Sequence, residues 1–157
     1  MKKIASFEVD HNKLQKGVYV SRQDTFKDVV ITTFDIRMKL PNKEALENEA
    51  IHTIEHLLAT FFRNDATFGN RIVYFGPMGC LTGMYLVLEG DVTSREVLPL
   101  LVEGFEFVAE YSGEIPGVSA TECGNYRLHD LSKAKEEATL FLSVLKNATD
   151  LNLNYPK

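Results

Sequence analysis

Between residues 29 and 40 polar and apolar side chains alternate. Val30, Thr32, Phe34, Ile36, Met38 and Leu40 fall on one side of an extended chain, and Asp35, Arg37 and Lys39 on the other. A period of two predicts a half-buried strand. Pro41-Asn42 ends it, and the pattern then changes to a helical one. Asn42 is placed to cap a helix whose first turns carry Glu44, Glu47 and Glu49, favourable near the positive end of the dipole. That helix is expected to run to about residue 64, with Ile51, Ile54, Leu57, Leu58, Phe61 and Phe62 making it apolar on most sides. Residues 70 to 76 and 81 to 89, rich in Val, Tyr, Phe and Leu, predict two short strands joined through the tight Gly76-Pro77-Met78-Gly79-Cys80 connection.

Thr93 followed by Glu96 is a capping-box pattern. Val97, Leu101, Phe105 and Val108 continue it as a helix ending near Ser112-Gly113, with Pro99 an expected point of kinking. A turn-rich stretch from 113 to 125 precedes a last helix over about 132 to 147, with Leu140, Val144 and Leu145 expected inward. Strands and helices do not strictly alternate, which predicts a two-layer α+β fold with helices packed on an antiparallel sheet.

The bulk numbers narrow the possibilities. A chain of 157 residues, 45% hydrophobic and 25% charged, can bury a core without disulfides. It has no internal repeat, low-complexity tract or Gly/Ser linker, so residues 1–157 read as one folding unit. The formal charge of -5 is spread among interspersed acids and bases, with no basic stripe carrying aromatics, which argues against nucleic acid as a partner. No apolar run reaches the 18 or so residues of a membrane helix, and the start turns acidic at Glu8, too early for a secretory signal. The expected location is cytoplasmic, where Cys80 and Cys123 are reduced and free to act as ligands or catalysts.

Chemistry concentrates in His52-Thr53-Ile54-Glu55-His56. On a helix, positions i, i+3 and i+4 share a face, so two imidazoles can chelate an ion with the Glu55 carboxylate beside them to move protons. A tetrahedral ion needs a further protein ligand, and the candidates are Cys123, Cys80, His129, His11 and the Glu136/Glu137 pair. Cys123 stands out because Gly124 gives its loop freedom to reach a helix. A His/His/Cys set suits Zn(II) or Fe(II). The same His-x-x-Glu-His spacing marks inverted-motif zinc peptidases, with Glu136 or Glu137 as third ligand, although so short a chain offers little room for a peptide cleft. A non-catalytic metal-binding dimer is the other alternative, although the paired Cys-x-x-Cys spacings common in structural sites are missing.

Six segments in order resemble the S-ribosylhomocysteine lyase (LuxS) family: Ser6-Phe7-x-x-Asp10-His11, Phe34-Asp35-Ile36-Arg37, Pro41-Asn42-Lys43, His52-Thr53-Ile54-Glu55-His56-Leu57, Gly76-Pro77-Met78-Gly79-Cys80-x-Thr82-Gly83 and Cys123-Gly124-Asn125-Tyr126. The resemblance implies a homodimer with active sites at the subunit interface, and one Fe(II) per subunit, replaceable by Zn(II), held by His52, His56 and Cys123. It implies Glu55 and Cys80 as proton carriers, and Ser6, His11 and Arg37 as substrate-binding residues, some of them reaching the site from the partner. The implied reaction cleaves S-ribosylhomocysteine to homocysteine and 4,5-dihydroxy-2,3-pentanedione, the precursor of autoinducer-2, by carbonyl migration and β-elimination of the thioether. His129 stays outside the ligand set on this reading. The chain departs from the family pattern at Tyr74-Phe75-Gly76, at Lys16-Gly17-Val18-Tyr19-Val20-Ser21 and at Leu81. The departures imply altered substrate affinity at most.

Overall fold

The computed structural model describes residue 4 and residues 7–156. Two antiparallel hairpins build the sheet. β1 (Gly17–Phe26) pairs with β2 (Val29–Arg37), β3 (Ile72–Pro77) pairs with β4 (Gly83–Glu89), and β2 pairs with β4 to give the order β1-β2-β4-β3. Register places Val20, Phe34, Leu86 and Phe75 in one row across all four strands. This row faces the helices, and Phe34 and Leu86 are wholly buried.

The first helix, α1 (Asn48–Arg63), and the second, α2 (Ser94–Glu110), lie against the sheet, and α3 (Leu131–Lys146) packs on both of them. Thr93 caps α2 through the expected reciprocal box with Glu96, and Pro99 sits exposed within the helix without ending it. Asp130 caps α3 by accepting from the Lys133 N–H at 3.0 Å. The buried face of α3 is Ala134, Ala138, Phe141 and Leu145, with Val144 partly buried against the core. Leu140, expected inward, is 57% exposed, because the helical period places it beside Phe141 but off the contact stripe. α1 starts five residues later than a cap at Asn42 requires. Asn42 has φ +61° and closes a turn over residues 41–43 rather than capping the helix.

Where α1 and α2 meet, Gly104 brings the helices close. A methyl added there would stand 2.7 Å from the Phe62 ring and 3.1 Å from Leu58. We expect Gly104→Ala to lower the unfolding free energy by about 1–3 kcal/mol through overpacking, read from denaturant midpoints.

The opposite face of the sheet is not simply solvent-exposed. Asp35, Arg37 and Lys39, which the alternating pattern leaves on the polar side, are only 2, 3 and 9% exposed. They are buried as ion pairs: Asp35 with Arg37, and Lys39 with Glu137 of α3 at 2.6 Å. The short helix α4 (Asp150–Leu153) and the residues after it return to β1, and Tyr155 lies over Tyr19. Neither β1 nor α4 is evident in the hydrophobic pattern, since the first three residues of β1 are all buried and the rest do not alternate.

Candidate metal centre and active site

His52 and His56 lie one turn apart on α1, their ring centroids 4.7 Å apart and the rings nearly perpendicular. Each is oriented by a backbone carbonyl. His52 Nδ1 donates to Leu128 O at 2.7 Å and His56 Nδ1 to Pro116 O at 2.8 Å. A carbonyl only accepts, so both Nδ1 atoms carry the proton and both Nε2 lone pairs are left for an ion. The loop between α2 and α3 supplies both carbonyls. It can pass this close to His56 because Gly117, at φ +71°, has no side chain in a region where a Cβ would stand 3.3 Å from His56 Nδ1.

The same loop carries Cys123, whose Sγ lies 3.5 Å from His52 Nε2. One ligand atom from each of His52, His56, Cys123 and His129 lies within 4.8 Å of the others. Two imidazole lone pairs and a thiol at these separations fit a single tetrahedral ion of the Zn(II) or Fe(II) type. Of the candidates for a third ligand, Cys123 is in the group. Cys80, His11 and Glu136 are not, and Glu137 is engaged by Lys39. Glu55, half-buried on the next position of α1, is not one of the four.

His129, set aside in the sequence, belongs to the cluster. Its ring stacks on His52 at 4.0 Å and meets His56 edge-on at 4.7 Å. The Thr53 hydroxyl, wholly buried, spends its one proton on Glu49 O at 2.8 Å and accepts from the Asp130 N–H at 3.0 Å. Its 3.1 Å contact with His129 Nδ1 therefore takes a proton from the imidazole, so His129 Nε2 is bare. That nitrogen is buried with no hydrogen-bond partner among the described residues. Burial first, then the neighbouring His52 and His56, push His129 down to about 4, so it is neutral at physiological pH. An orphaned imidazole lone pair beside three donors is an observation of this structure that fits a bound cation and its hydration. The signal was present in the sequence: Thr53 lies between the two metal-motif histidines and Asp130 beside His129.

Thr53→Val tests this orientation. It leaves His129 Nδ1–H without its acceptor and the Asp130 N–H with only Glu49 O at 3.3 Å, so we expect a loss of about 1–3 kcal/mol in the apo protein by chemical denaturation. Metal affinity should fall roughly tenfold, measured by competition with a chromophoric chelator.

A second cluster lies on the turn between β3 and β4 and the end of β2. Leu81 adopts φ +59°, which turns the chain sharply after Cys80 and leaves that thiol exposed. Arg37 donates through Nε to Asp35 Oδ1 at 3.0 Å and through Nη2 to Asp35 Oδ2 at 2.6 Å. Its Nη1 donates to Thr82 Oγ1 at 2.5 Å and lies 3.8 Å from Cys80 Sγ. Thr82 Oγ1 is 3.1 Å from the same sulfur. Partial burial pushes the thiol up, but the Thr82 hydroxyl and amide together with the Arg37 guanidinium outweigh it, and Cys80 lies below the ordinary thiol value. The adjoining cavity of about 690 Å³ is lined by Cys80, Arg37 and His11, and by none of His52, Glu55, His56 and Cys123. His11 is partly buried, its Nδ1 2.9 Å from Val9 O. Ser6 lies outside the described residues.

A thiol-activating pocket and a His/His/Cys cluster in one small α+β chain are the two halves that the motif resemblance demands. The family model described as S-Ribosylhomocysteinase (LuxS) matches residues 4–151. The chain belongs to the LuxS family. An S-ribosylhomocysteine lyase of Desulfotalea psychrophila is 57% identical over 99% of both chains. Proteins of the same name from Clostridium acetobutylicum and Borreliella burgdorferi are 55% and 52% identical, over 100% of both chains and over 99% of this chain and 100% of the relative. Within the LuxS family fold, α1 and the 111–130 loop build the cation cluster, while the end of β2 and the β3–β4 turn build the thiol pocket.

Proposed function

We propose that this LuxS-family chain cleaves S-ribosylhomocysteine to homocysteine and 4,5-dihydroxy-2,3-pentanedione, a reading supported by relatives named S-ribosylhomocysteine lyase. The observation that carries the reading is the convergence of two oriented Nε2 lone pairs and the Cys123 thiol in one cluster. His52, His56 and Cys123 would hold the ion, Fe(II) with Zn(II) as a substitute, one per subunit. When bound, the ion supplies Lewis acidity to the oxygens of the open-chain sugar.

The chain's own residues supply the proton traffic. Moving the carbonyl from C1 to C2 to C3 takes a proton from one carbon and returns one to its neighbour at each stage. Loss of a proton from C4 then expels the homocysteine thiolate from C5. The helical period puts Glu55 on the face it shares with His52 and His56, which supports its carboxylate as the carrier that collects and returns protons at the metal side. Cys80, whose thiolate form is favoured by Thr82 and Arg37, is the second carrier. Arg37, His11 and Ser6 bind substrate, Arg37 and His11 from the walls of the Cys80 cavity.

The two carriers lie in separate clusters of one chain, and we take them to meet across a homodimer, each active site joining the metal cluster of one subunit to the Cys80 cavity of the other. Two free thiols suit the reducing cytoplasm, and no helix among the described residues is long and apolar enough to cross a membrane. The inverted-motif peptidase loses its third ligand, because Glu137 pairs with Lys39 and Glu136 stands outside the cluster. A structural metal site gains some support from His129 as a fourth donor. Anaerobic mixing of Fe(II)-loaded protein with S-ribosylhomocysteine separates the readings: thiol release beyond the protein's own cysteines over many turnovers supports the lyase, and no release from loaded, folded protein overturns it.

A further inference from the structure

The C-terminal residues reach the Cys80 pocket through one side chain. Tyr155 lines the same cavity as Cys80, and its hydroxyl donates to Asp35 Oδ2 at 2.8 Å. Asp35 is the buried carboxylate that holds the Arg37 fork by two hydrogen bonds. Arg37 in turn presents Nη1 to Thr82 and Cys80. The contacts therefore run unbroken from Tyr155 through Asp35 and Arg37 to the sulfur.

The docking of Tyr155 is built with care for its position. Its ring stacks on Tyr19 at 4.8 Å and 14°, and Tyr19, wholly buried, donates its own hydroxyl to Gln15 O at 3.0 Å. Asn152 Nδ2 donates to Lys16 O at 2.9 Å. Gly17 has no room for a side chain, since a Cβ would stand 2.1 Å from Asn152 O. Lys16, Gly17 and Tyr19 together form the seat of the C-terminal residues. Burial, then the Asp35 charge, raise the Tyr155 phenol well above its ordinary value, so it remains a donor throughout the working range of pH.

We propose that Tyr155 is a positioning residue for Cys80, acting through Asp35 and Arg37. A buried carboxylate needs its lone pairs satisfied. With Tyr155 donating, Asp35 holds Arg37 in one plane and part of its charge is answered elsewhere, which leaves Nη1 aimed at the sulfur. Without that donor, Asp35 draws more fully on the guanidinium, and the thiolate loses part of its stabilisation. The inference rests on Cys80 as the proton carrier proposed above.

The test measures alkylation of Cys80 by iodoacetamide against pH in Zn(II)-loaded protein, with peptide mass analysis counting Cys80 separately from Cys123. Tyr155→Phe keeps the stacked ring and removes the hydroxyl. His11, Lys43, Glu44 and Tyr85, which also face the cavity, are unchanged by it, as is Tyr19. The expected result is a rise of about half a pH unit in the Cys80 midpoint, a roughly threefold slower alkylation at fixed pH below it. Turnover should fall with KM little changed. Tyr155→Ala should show a larger rise. An unchanged alkylation profile in Tyr155→Phe overturns the proposal, and so does a shift confined to Tyr155→Ala, which would assign the effect to ring packing. Alkylation reads the thiolate itself, so this result stands apart from Cys80→Ala turnover, which tests the role of Cys80 in the reaction.

Discussion

Cys123→Ala and His52→Ala are each expected to yield folded protein that no longer retains stoichiometric metal after dialysis. Binding free energies of about 10–16 kcal/mol shared among four ligand positions put a few kcal/mol on each, so affinity should fall by roughly a hundredfold or more. The fold should survive, because His52 and Cys123 are only partly buried and the core is carried by Phe34, Leu86, Leu57, Leu58 and Phe105. His129→Ala should weaken metal binding less, by roughly ten- to a hundredfold, if its bare Nε2 answers the ion's hydration rather than the ion. Metal content by atomic emission, set against protein concentration, ranks the three variants. Equal metal in Cys123→Ala and wild type would remove the thiol from the ligand set.

The proton carriers should separate cleanly from the ligands. Glu55→Gln and Cys80→Ala are expected to keep full metal and lose turnover by about a hundred- to ten-thousandfold, the range for removal of a general acid or base. Neither side chain is part of the core, and neither belongs to the four-donor cluster. Steady-state homocysteine release with metal content measured on the same samples checks both. Loss of metal in Cys80→Ala would mean that the roles of the two cysteines are exchanged. Full turnover in Glu55→Gln would remove the carboxylate from the mechanism.

Much of this site was legible in the sequence because helical spacing alone brings His52, Glu55 and His56 together, and because the loop around Gly124 marked Cys123 as able to reach a helix. The strong apolar periods of α2 and β2 were equally plain, and the Thr93–Glu96 cap was found at its true position. What failed did so for identifiable reasons. A period-two pattern reads every charge on the polar face as solvated, whereas Asp35 and Arg37, two residues apart on one face, neutralise each other and are covered by Tyr155. Opposite charges at i and i+2 on a strand were the available signal. β1 escaped notice because its outer half, Arg22 to Phe26, is polar and exposed apart from the half-buried Asp24. His129, left outside the ligand set, is tied to the cluster through the Thr53 hydroxyl, 76 residues away in sequence. Long-range pairing of this kind decides which histidine nitrogen is free, and local pattern does not carry it.

The most direct test of the shared site is complementation between two inactive variants. His52→Ala lacks the metal half and Cys80→Ala lacks the thiol half, so each alone should be inactive. If each active site joins the metal cluster of one subunit to the Cys80 cavity of the other, co-expressed mixed dimers contain one site with both halves intact. With random pairing, half the dimers are mixed, and the mixture should regain about a quarter of wild-type homocysteine release. Activity that stays at the level of the separate variants, in a preparation shown to contain mixed dimers, would contradict the shared site and place both halves within a single chain.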